Sequence, residues 1–473
     1  MNKTTRRIQF RSHLQTGTGT QIPAGTEIPL VATIEYEEHD PTTLSVDLLL
    51  LGKNDVEHGA AFVSLTRPFH FELFLTNDES TARPALIRGI HNISNNGSHV
   101  SIEATEARVG FTDHPQENER NWFIKVELTP SGILQTPGIR QLSHTGEISV
   151  ERIKPGAIEV STKLGILEVG ERYAHYSSEQ HGNRVTQSMQ RAAITGTLQI
   201  AKGESLASFN KALIDEVKDI CNILSLCYRQ PVDFYEIWYV TDPNTTPDEE
   251  MQEATLRRRF HSINKKSDGD ELIHRNNMIE GGLDQLIKNY KEAARKTEIT
   301  RAIRFLAPSH TREPLESAYF LAYSALDLIA STGNAEDAFL LDPSKWRRIQ
   351  KLLRAYLDSI AEKEEIGPVV NQLKEKLPEL RRVSGDKRVI EACRKFGVTT
   401  DDLWREEGFE AGLKAATKIR NRLFHAAGGE MDGLYVNLVR VRTLVERLLL
   451  GALQWPDERT WVWKDQELLG IES

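Results

Sequence analysis

A short stretch near the C-terminal end of the sequence, KIRNRLFHAAGG at residues 418–429, carries side chains that can do chemistry. Arg420 stands directly before Asn421, and His425 follows four positions after the asparagine. A guanidinium is a permanently charged planar fork that fits phosphate oxygens, and an imidazole exchanges a proton near neutral pH. We therefore take Arg420, Asn421 and His425 as candidate catalytic residues, in which the amide positions the ring or the anion.

The stretch lies at the end of a patterned helix. Apolar residues recur at steps of three or four, which is typical of a buried helix face: Phe409, Leu413, Ala416, Ile419 and Leu423. The pattern predicts a helix over residues 401–425. On an ideal helix Arg420 lies roughly 140° around the axis from His425, so one helix does not bring them together. Two copies around a twofold axis can place the arginine of one chain near the histidine of the other.

A purely structural role for the same residues stays open. A histidine in the last helical turn is stabilised by the negative end of the helix dipole, and a nearby arginine acts in the same way. The chain also contains other arginines with a histidine six positions later, such as Arg108 with His114 and Arg304 with His310. The spacing by itself therefore carries little weight.

The helices around this stretch resemble the HEPN superfamily (higher eukaryotes and prokaryotes nucleotide-binding). The likeness consists of Arg420-Asn421 followed by His425, and of the upstream helix SAYFLAYSALDLI, which is similar to a HEPN helix that often ends in Ala-Leu-Glu; here the acid is Asp327. It spans roughly residues 302–451. It implies a helical bundle that forms a homodimer and a metal-independent endoribonuclease without a cofactor. The implied site is Arg420, Asn421 and His425, with RNA as the substrate and tRNA by analogy.

A β-rich half joined to such a bundle is similar to the ApeA-like abortive-infection proteins of bacterial antiphage defence. This likeness implies that the β-rich half responds to a phage-derived trigger. Two alternatives remain. One is a non-catalytic HEPN-like dimerisation and binding module whose β domain recognises a ligand. The other is a bundle that serves as the partner of a nucleotide-transferring enzyme.

The first two hundred residues predict β-strands. Period-two alternation and β-branched residues occur in several segments, and turn sequences such as Asn95-Asn96-Gly97 and Pro155-Gly156 separate them. The segments are residues 31–36, 43–51, 99–111, 121–128 and 156–169. We predict a sandwich or partly open barrel, followed by a helix over 205–228 and a short strand at 232–240.

From about Leu256 onward the sequence predicts helices. The long ones are expected at 314–333, 342–360, 401–425 and 434–453, joined by short connections that favour a bundle. The fold class is therefore α+β. We place a β-rich sensor or regulatory domain at 1–245 and a helical HEPN-like domain at 246–473, with the boundary in the acidic, polar segment Thr241–Glu250.

Composition limits the classes of function. The chain has 473 residues, 39% of them hydrophobic, and a net charge of −9, which argues against a protein that coats nucleic acid over its whole surface. No apolar run approaches the roughly 20 residues of a membrane span, and the N-terminus lacks a signal-peptide pattern, so we expect a cytoplasmic protein without a membrane partner. Three cysteines lack metal-ligand spacing, and isolated histidines such as His310 have no ligand partner in sequence, so no metal site is predicted.

Basic residues cluster in three places. One cluster surrounds Trp346, and the others lie between Lys374 and Arg388 and at 257–259. The first comprises Lys345, Arg347, Arg348, Lys351 and Arg354. Because acidic residues are interspersed, we interpret the clusters as solvated helix faces rather than RNA-binding grooves, and Trp346 as a core residue.

Overall fold

The structure, a computed structural model, describes a defined part of the chain: residues 5–15, 27–37, 44–50, 73–76, 85–88, 92–96, 99–104, 106–109, 119–129, 139–144, 147–152, 158–180, 183–240, 253–257, 271–273, 275–311, 314–332, 342–364, 367–381, 384–425 and 433–456. The chain forms two compact units. The β-rich unit comprises residues 1–224, 232–265 and 275–287, and the helical unit comprises 225–231, 266–274 and 288–473. The fold is α+β, as predicted from the sequence. The domain boundary predicted at 245–246 lies outside the described residues and stays a prediction.

Sixteen strands are described in the β-rich unit. They are β1 Thr5–Gln15, β2 Glu27–Glu37, β3 Leu44–Leu50, β4 Leu73–Thr76, β5 Ala85–Arg88, β6 Asn92–Asn96, β7 His99–Ala104, β8 Glu106–Val109, β9 Arg120–Thr129, β10 Ile139–His144, β11 Glu147–Arg152, β12 Ile158–Thr162, β13 Gly165–Gln180, β14 Asn183–Ile200, β15 Asp233–Val240 and β16 Glu253–Arg257. Fourteen pair in the order β12-β13-β14-β9-β15-β16-β8-β5-β4-β1-β2-β3-β7-β6, and β10 with β11 forms a separate hairpin. The sequence predicted a sandwich or partly open barrel. In the structure, fourteen of the described strands form one continuous antiparallel sheet.

Period-two alternation builds the core of this unit. Along β7, exposed or half-buried residues alternate with buried ones. Val100 pairs with Leu48 of β3 and Ile102 pairs with Val46, and all four side chains are fully buried. Because successive side chains of a strand point to opposite faces, a one-residue slip would expose this whole row.

Helix α1, Leu206–Cys227, follows the strands as the apolar spacing predicts. Its predicted stripe is buried with at most 1% exposure: Phe209, Leu213, Val217, Ile220 and Leu224. Asn210 on this helix accepts a hydrogen bond of 2.6 Å from the Tyr239 hydroxyl of β15, which ties the helix to the sheet.

The predicted start of the helical region near Leu256 is wrong. Residues 253–257 form β16, which pairs with β15 on one side and β8 on the other, so Leu256 lies opposite both Glu236 and Ala107. A five-residue segment carries too little periodicity to distinguish helix from strand, and here pairing with two neighbours decides.

Eight helices of eight or more residues are described in the later part of the chain: α2 Leu283–Glu292, α3 Lys296–Ser309, α4 Leu315–Ala330, α5 Pro343–Glu364, α6 Gly367–Lys376, α7 Gly385–Phe396, α8 Phe409–His425 and α9 Leu434–Ala452. A short helical turn and a π-helix, Arg275–Asn277 and Met278–Gly282, precede α2, and a 3-10 turn, Leu377–Arg381, follows α6. Helices α4, α5 and α9 confirm three of the four long helices predicted from the sequence.

Helix α4 lies at the centre of the helical unit. It packs against α3, α7, α8 and α9. Its apolar stripe is fully buried, namely Tyr319, Ala322, Leu326 and Ile329, and so is the stripe of α9, namely Leu438, Val441, Val445 and Leu448. Buried aliphatic side chains of this kind each contribute about 1.5–3 kcal/mol relative to exposure, so the two stripes stabilise the unit.

The fourth predicted helix begins later than expected. Residues 401–407 form a turn, with Trp404 at φ 51° and Gly408 at φ 82°, and α8 starts at Phe409. Trp404 is fully buried, and its indole N–H donates to Asn437 at 3.0 Å. Its ring occupies the space that a side chain on Gly412 would take. The turn at residues 401–407 thus accompanies burial of the Trp404 indole. The apolar spacing of the sequence does not reveal this turn.

The cysteines and the apolar character of the helices were also considered from the sequence, as possible metal ligands and as possible membrane spans. Cys221, Cys227 and Cys393 are buried free thiols, and burial raises the pKa of Cys393 to about 12. None of the helices in the described segments has both the length and the apolar character of a membrane span.

Candidate functional site

Three helices of the bundle position the candidate residues. Helix α8 presents Leu413 and Ala416 to the core, and the buried hydroxyl of Tyr319 on α4 donates to the carbonyl of Ala416 at 2.9 Å. A hydrogen bond to a carbonyl in mid-helix fixes the rotation and the height of α8 against α4. The next turn of α8 therefore carries Arg420 to a defined place beside α4.

Arg420 contacts Asp327, Asn421 and Tyr323 among the described residues, and its side chain remains 37% exposed. Its Nη2 lies 3.7 Å from the carboxylate of Asp327 on α4, and its Nη1 donates to the side-chain oxygen of Asn421 at 3.1 Å. The guanidinium carbon lies 5.7 Å from the centre of the Tyr323 ring, within the range of a cation–π contact. The contacts fix the plane of the guanidinium, while part of the side chain faces solvent.

A hydroxyl chain extends this cluster to α7. Thr417 Oγ1 lies 2.8 Å from the Tyr323 hydroxyl, 2.8 Å from Asp386 and 2.9 Å from the carbonyl of Leu413. Thr417 has a single proton, shared between the two acceptors, so the Tyr323 hydroxyl is the donor in the first contact. Asp386 lies in the first turn of α7, where the helix dipole stabilises a negative charge.

Two carboxylates and two guanidiniums meet beside Gly385. A Cβ at Gly385 would lie 4.0 Å from both Asp327 Oδ1 and Arg388 Nη2. Burial raises the pKa of Asp327, and the negative charge of Asp386 raises it further, whereas Arg420 and Arg388 oppose the shift. Burial also raises the pKa of Tyr323. The positive charge of Arg420 therefore favours the ionised form of Asp327 and opposes the effect of burial on its pKa.

The structure brings two of the three predicted residues together. Arg420 and Asn421 are adjacent and hydrogen-bonded, and Asn421 is exposed. His425 is the last residue of α8, but its side chain lies outside the described residues. The twofold arrangement of Arg420 with His425 from a second copy stays a prediction.

Sequence reasoning named Asp327 but missed several other members of the cluster. Tyr323 lies four residues before Asp327 on one face of α4, which is a signal that the sequence contains. Asp386 and Thr417 lie on different helices, and no local pattern connects them. Arg388 was noted only as a member of a basic cluster; its buried Nε has no hydrogen-bond partner among the described residues.

A second polar centre lies in the core of the helical unit, away from the predicted residues in sequence. Arg229 donates two hydrogen bonds of 2.7 Å to the carboxylate of Glu446, and His310 Nε2 lies 3.0 Å from the same carboxylate. Arg229 is 5% exposed and Glu446 is 1% exposed. A charge pair so removed from solvent has a structural role, because substrates cannot reach it.

Titration of this centre follows from its burial. Burial lowers the pKa of His310 to about 4, although the charge of Glu446 opposes the shift. Burial disfavours ionisation of Glu446, but Arg229 and His310 outweigh that effect and lower its pKa to about 2. At neutral pH the pair is thus Arg229 with an ionised Glu446, beside a neutral imidazole.

Within the described segments, no three His, Cys, Asp or Glu side chains are placed to hold a metal ion. No family model, no curated protein and no solved structure matches the chain. The functional interpretation therefore depends on the residues themselves and on their geometry.

Proposed function

We propose that the helical unit is an endoribonuclease whose site is formed by Arg420, Asn421 and His425. The observation that carries the proposal is the Arg420 guanidinium, which is partly exposed and held by Asp327, Asn421 and Tyr323 just over one helical turn before His425. A positioned, permanently charged donor group, combined with a proton-transferring residue from the same helix or from a second copy, suits phosphoryl chemistry.

The proposed reaction uses the nucleophile that RNA supplies. The 2′-hydroxyl attacks the adjacent phosphorus, and the bond to the 5′-oxygen breaks, which leaves a 2′,3′-cyclic phosphate and a 5′-hydroxyl. His425 accepts the proton of the 2′-hydroxyl, and the imidazolium returns it to the departing 5′-oxygen. Arg420 binds the phosphate oxygens as negative charge develops on them. DNA lacks the 2′-hydroxyl and is not cleaved.

Asp327 supports this assignment. Its carboxylate faces the guanidinium from α4, and its position corresponds to the glutamate of the HEPN helix that it resembles. The shorter aspartate reaches Arg420 at 3.7 Å, so it can orient the fork without a close bidentate contact. The wider proposal, taken from the resemblance, is that cleavage of host RNA serves antiphage defence, with the β-rich unit as the part that responds to a trigger.

The test is a cleavage assay on the full-length chain with tRNA in EDTA. Wild type is compared with Arg420→Ala, with His425→Ala and with Lys414→Ala, which removes an exposed cation from the same helix. We expect wild type and Lys414→Ala to yield ends with a cyclic phosphate, identified by mass spectrometry, and the other two to lose about 10²- to 10⁴-fold in rate. Equal cleavage by all four proteins, or none by wild type, contradicts the proposal.

Mixing the two inactive variants tests the twofold site. If each site takes Arg420 from one chain and His425 from the other, a mixed dimer of Arg420→Ala with His425→Ala contains one complete site and regains activity. If both residues act from the same chain, the mixture stays inactive.

One observation favours a second candidate function. Asp327, Asn421 and Tyr323 already contact Arg420, which is the arrangement expected of a structural arginine in a non-catalytic binding module. In that case, growth arrest on expression, if it occurs, persists unchanged in the His425→Ala variant. Loss of growth arrest in this variant excludes the binding module.

A further inference from the structure

Arg388 of helix α7 differs from the other members of the basic clusters. The cations around Trp346 on α5 are exposed, as expected of a solvated helix face, and so is Lys387. Arg388 is half-buried. Among the described residues, its side chain forms no ion pair and no hydrogen bond, and its Nε is removed from solvent. A buried donor without a partner is energetically unfavourable, which indicates that a group from outside the chain binds this guanidinium.

Arg388 lies beside the proposed site. Its Nη2 and Asp327 Oδ1 are both 4.0 Å from the position that a Cβ on Gly385 would occupy. Arg420 reaches the other oxygen of the same carboxylate from α8, at 3.7 Å. The charges of both arginines act to lower the pKa of Asp327, although burial raises it overall. Two guanidiniums from different helices therefore lie near one carboxylate.

The two nearby carboxylates are engaged with other groups. Asp327 faces Arg420, and Asp386 accepts a hydrogen bond of 2.8 Å from Thr417. Neither forms an ion pair with Arg388 among the described residues. A Cβ on Gly385 would meet nothing closer than 4.0 Å, so the space between Arg388 and Asp327 is open to a ligand.

The chemistry of Arg388 favours a phosphate as that ligand. A guanidinium presents its N–H groups as a planar fork that matches two oxygens of a phosphate. In the proposed reaction Arg420 binds the phosphate that is cleaved, and an RNA chain carries further phosphates along its backbone. A substrate held by Arg420 therefore brings a second phosphate into the neighbourhood of Arg388.

We propose that Arg388 binds a phosphate adjacent to the one that is cleaved, so that the site takes an RNA chain with at least one phosphate beyond the scissile linkage. This subsite rests on the proposed endoribonuclease function and adds a binding residue on α7 to the reacting groups on α8. Arg388 does not touch the reacting atoms. Its contact is the same before and during the reaction, so it lowers KM and leaves kcat nearly unchanged.

The test compares probes that differ by one phosphate. The first probe is a dinucleotide with a single bridging phosphate, and two others carry an added phosphate at the 5′ or the 3′ end. A 2′-O-methyl group on the attacking ribose prevents cleavage, and dissociation constants are measured by calorimetry. The full-length variants are Arg388→Ala and Arg388→Lys, which keeps the charge but not the fork. The control is Lys387→Ala, which removes the adjacent exposed cation from the same helix.

The expected signature is a gain in affinity that depends on Arg388. In wild type and in Lys387→Ala, one of the two terminal phosphates tightens binding roughly 10- to 100-fold. In Arg388→Ala this gain disappears, while the single-phosphate probe binds as it does to wild type. A structural role of Arg388 would weaken the binding of all probes alike. Arg388→Lys is expected to keep only part of the gain, which gives the same comparison if the alanine variant does not fold.

The Arg388 subsite is overturned if neither terminal phosphate tightens binding to wild type, or if the gain persists in Arg388→Ala. An equal loss of the gain in Lys387→Ala also overturns it, because any nearby cation would then suffice. The probes cannot be cleaved, so the outcome is independent of activity. If wild type cleaves tRNA but shows no gain, the endoribonuclease stands without the subsite. If the gain depends on Arg388 and wild type does not cleave tRNA, the phosphate site stands and the endoribonuclease falls.

Discussion

Arg420 on α8 and Asp327 on α4 face each other across a helix interface, with a guanidinium nitrogen 3.7 Å from a carboxylate oxygen. Both side chains are about one-third exposed, so solvent screens the pair and its contribution to the stability of the fold is small. In the proposed endoribonuclease its consequence is larger, because the carboxylate fixes the direction in which the guanidinium presents its donors.

Replacement of Asp327 by Asn is therefore expected to impair the proposed cleavage more than the stability. The amide keeps the shape but not the charge, so Arg420 samples other orientations, and a displacement of about 1 Å at a reacting centre can cost up to about 100-fold in rate. The measurement is kcat with tRNA, together with the thermal unfolding midpoint. Asp215→Asn, which removes a carboxylate that is 70% exposed on α1, is the control. An unchanged kcat in Asp327→Asn would contradict a role of Asp327 in orienting Arg420.

The buried His310 predicts acid sensitivity. Its pKa is 6.5 in the unfolded chain and about 4 in the folded protein, so between these values the unfolded chain binds more protons. This contribution to stability is fully present above pH 6.5 and is lost as the pH falls toward 4; it is on the order of 3 kcal/mol. Denaturant unfolding at pH 7.5 and at pH 5 is the measurement. In His310→Gln, the unfolding free energy is expected to vary less with pH between 6.5 and 4.5. If it varies as steeply as in wild type, other groups cause the acid sensitivity.

The Arg229–Glu446 pair predicts an asymmetric response to substitution. Glu446→Gln leaves a buried guanidinium without its counter-charge, which typically costs about 3–5 kcal/mol. Replacement of both residues at once, Arg229→Met with Glu446→Met, removes both buried charges and is expected to be more stable than Glu446→Gln. Unfolding free energies of wild type and the two variants are the measurement. If the double variant is less stable than Glu446→Gln, loss of the ion pair itself, rather than the isolated buried charge, accounts for most of the lost unfolding free energy.

The contrast between predicted and unpredicted features has a physical origin. The stripes of α1, α4 and α9 were predictable because burial of one helix face imposes a short-range period on the sequence. Two contacts were not predictable: Asp386 with Thr417, and His310 with Glu446. The residues of each pair approach each other only when separate helices pack. His310 has no ligand partner nearby in sequence, yet in the fold it lies in a buried charge network. For the candidate site, the sequence indicated Arg420 and Asn421, and packing added Tyr323, Thr417 and Asp386.

Gly412 tests how α8 is held against the preceding turn. Replacement of an exposed mid-helix glycine by alanine stabilises a protein by about 1 kcal/mol, because the backbone then loses less entropy on folding. At Gly412 the added Cβ would overlap the ring of Trp404, which is fully buried and bonded to Asn437, so neither partner can move easily. We therefore expect Gly412→Ala to destabilise the chain by about 1–3 kcal/mol, as overpacking does. Gly170→Ala is the control, since a Cβ there meets nothing within 4 Å. A Gly412→Ala variant as stable as wild type would mean that Trp404 does not pack against α8 in this way, and Arg420 would then lose the support that fixes its helix.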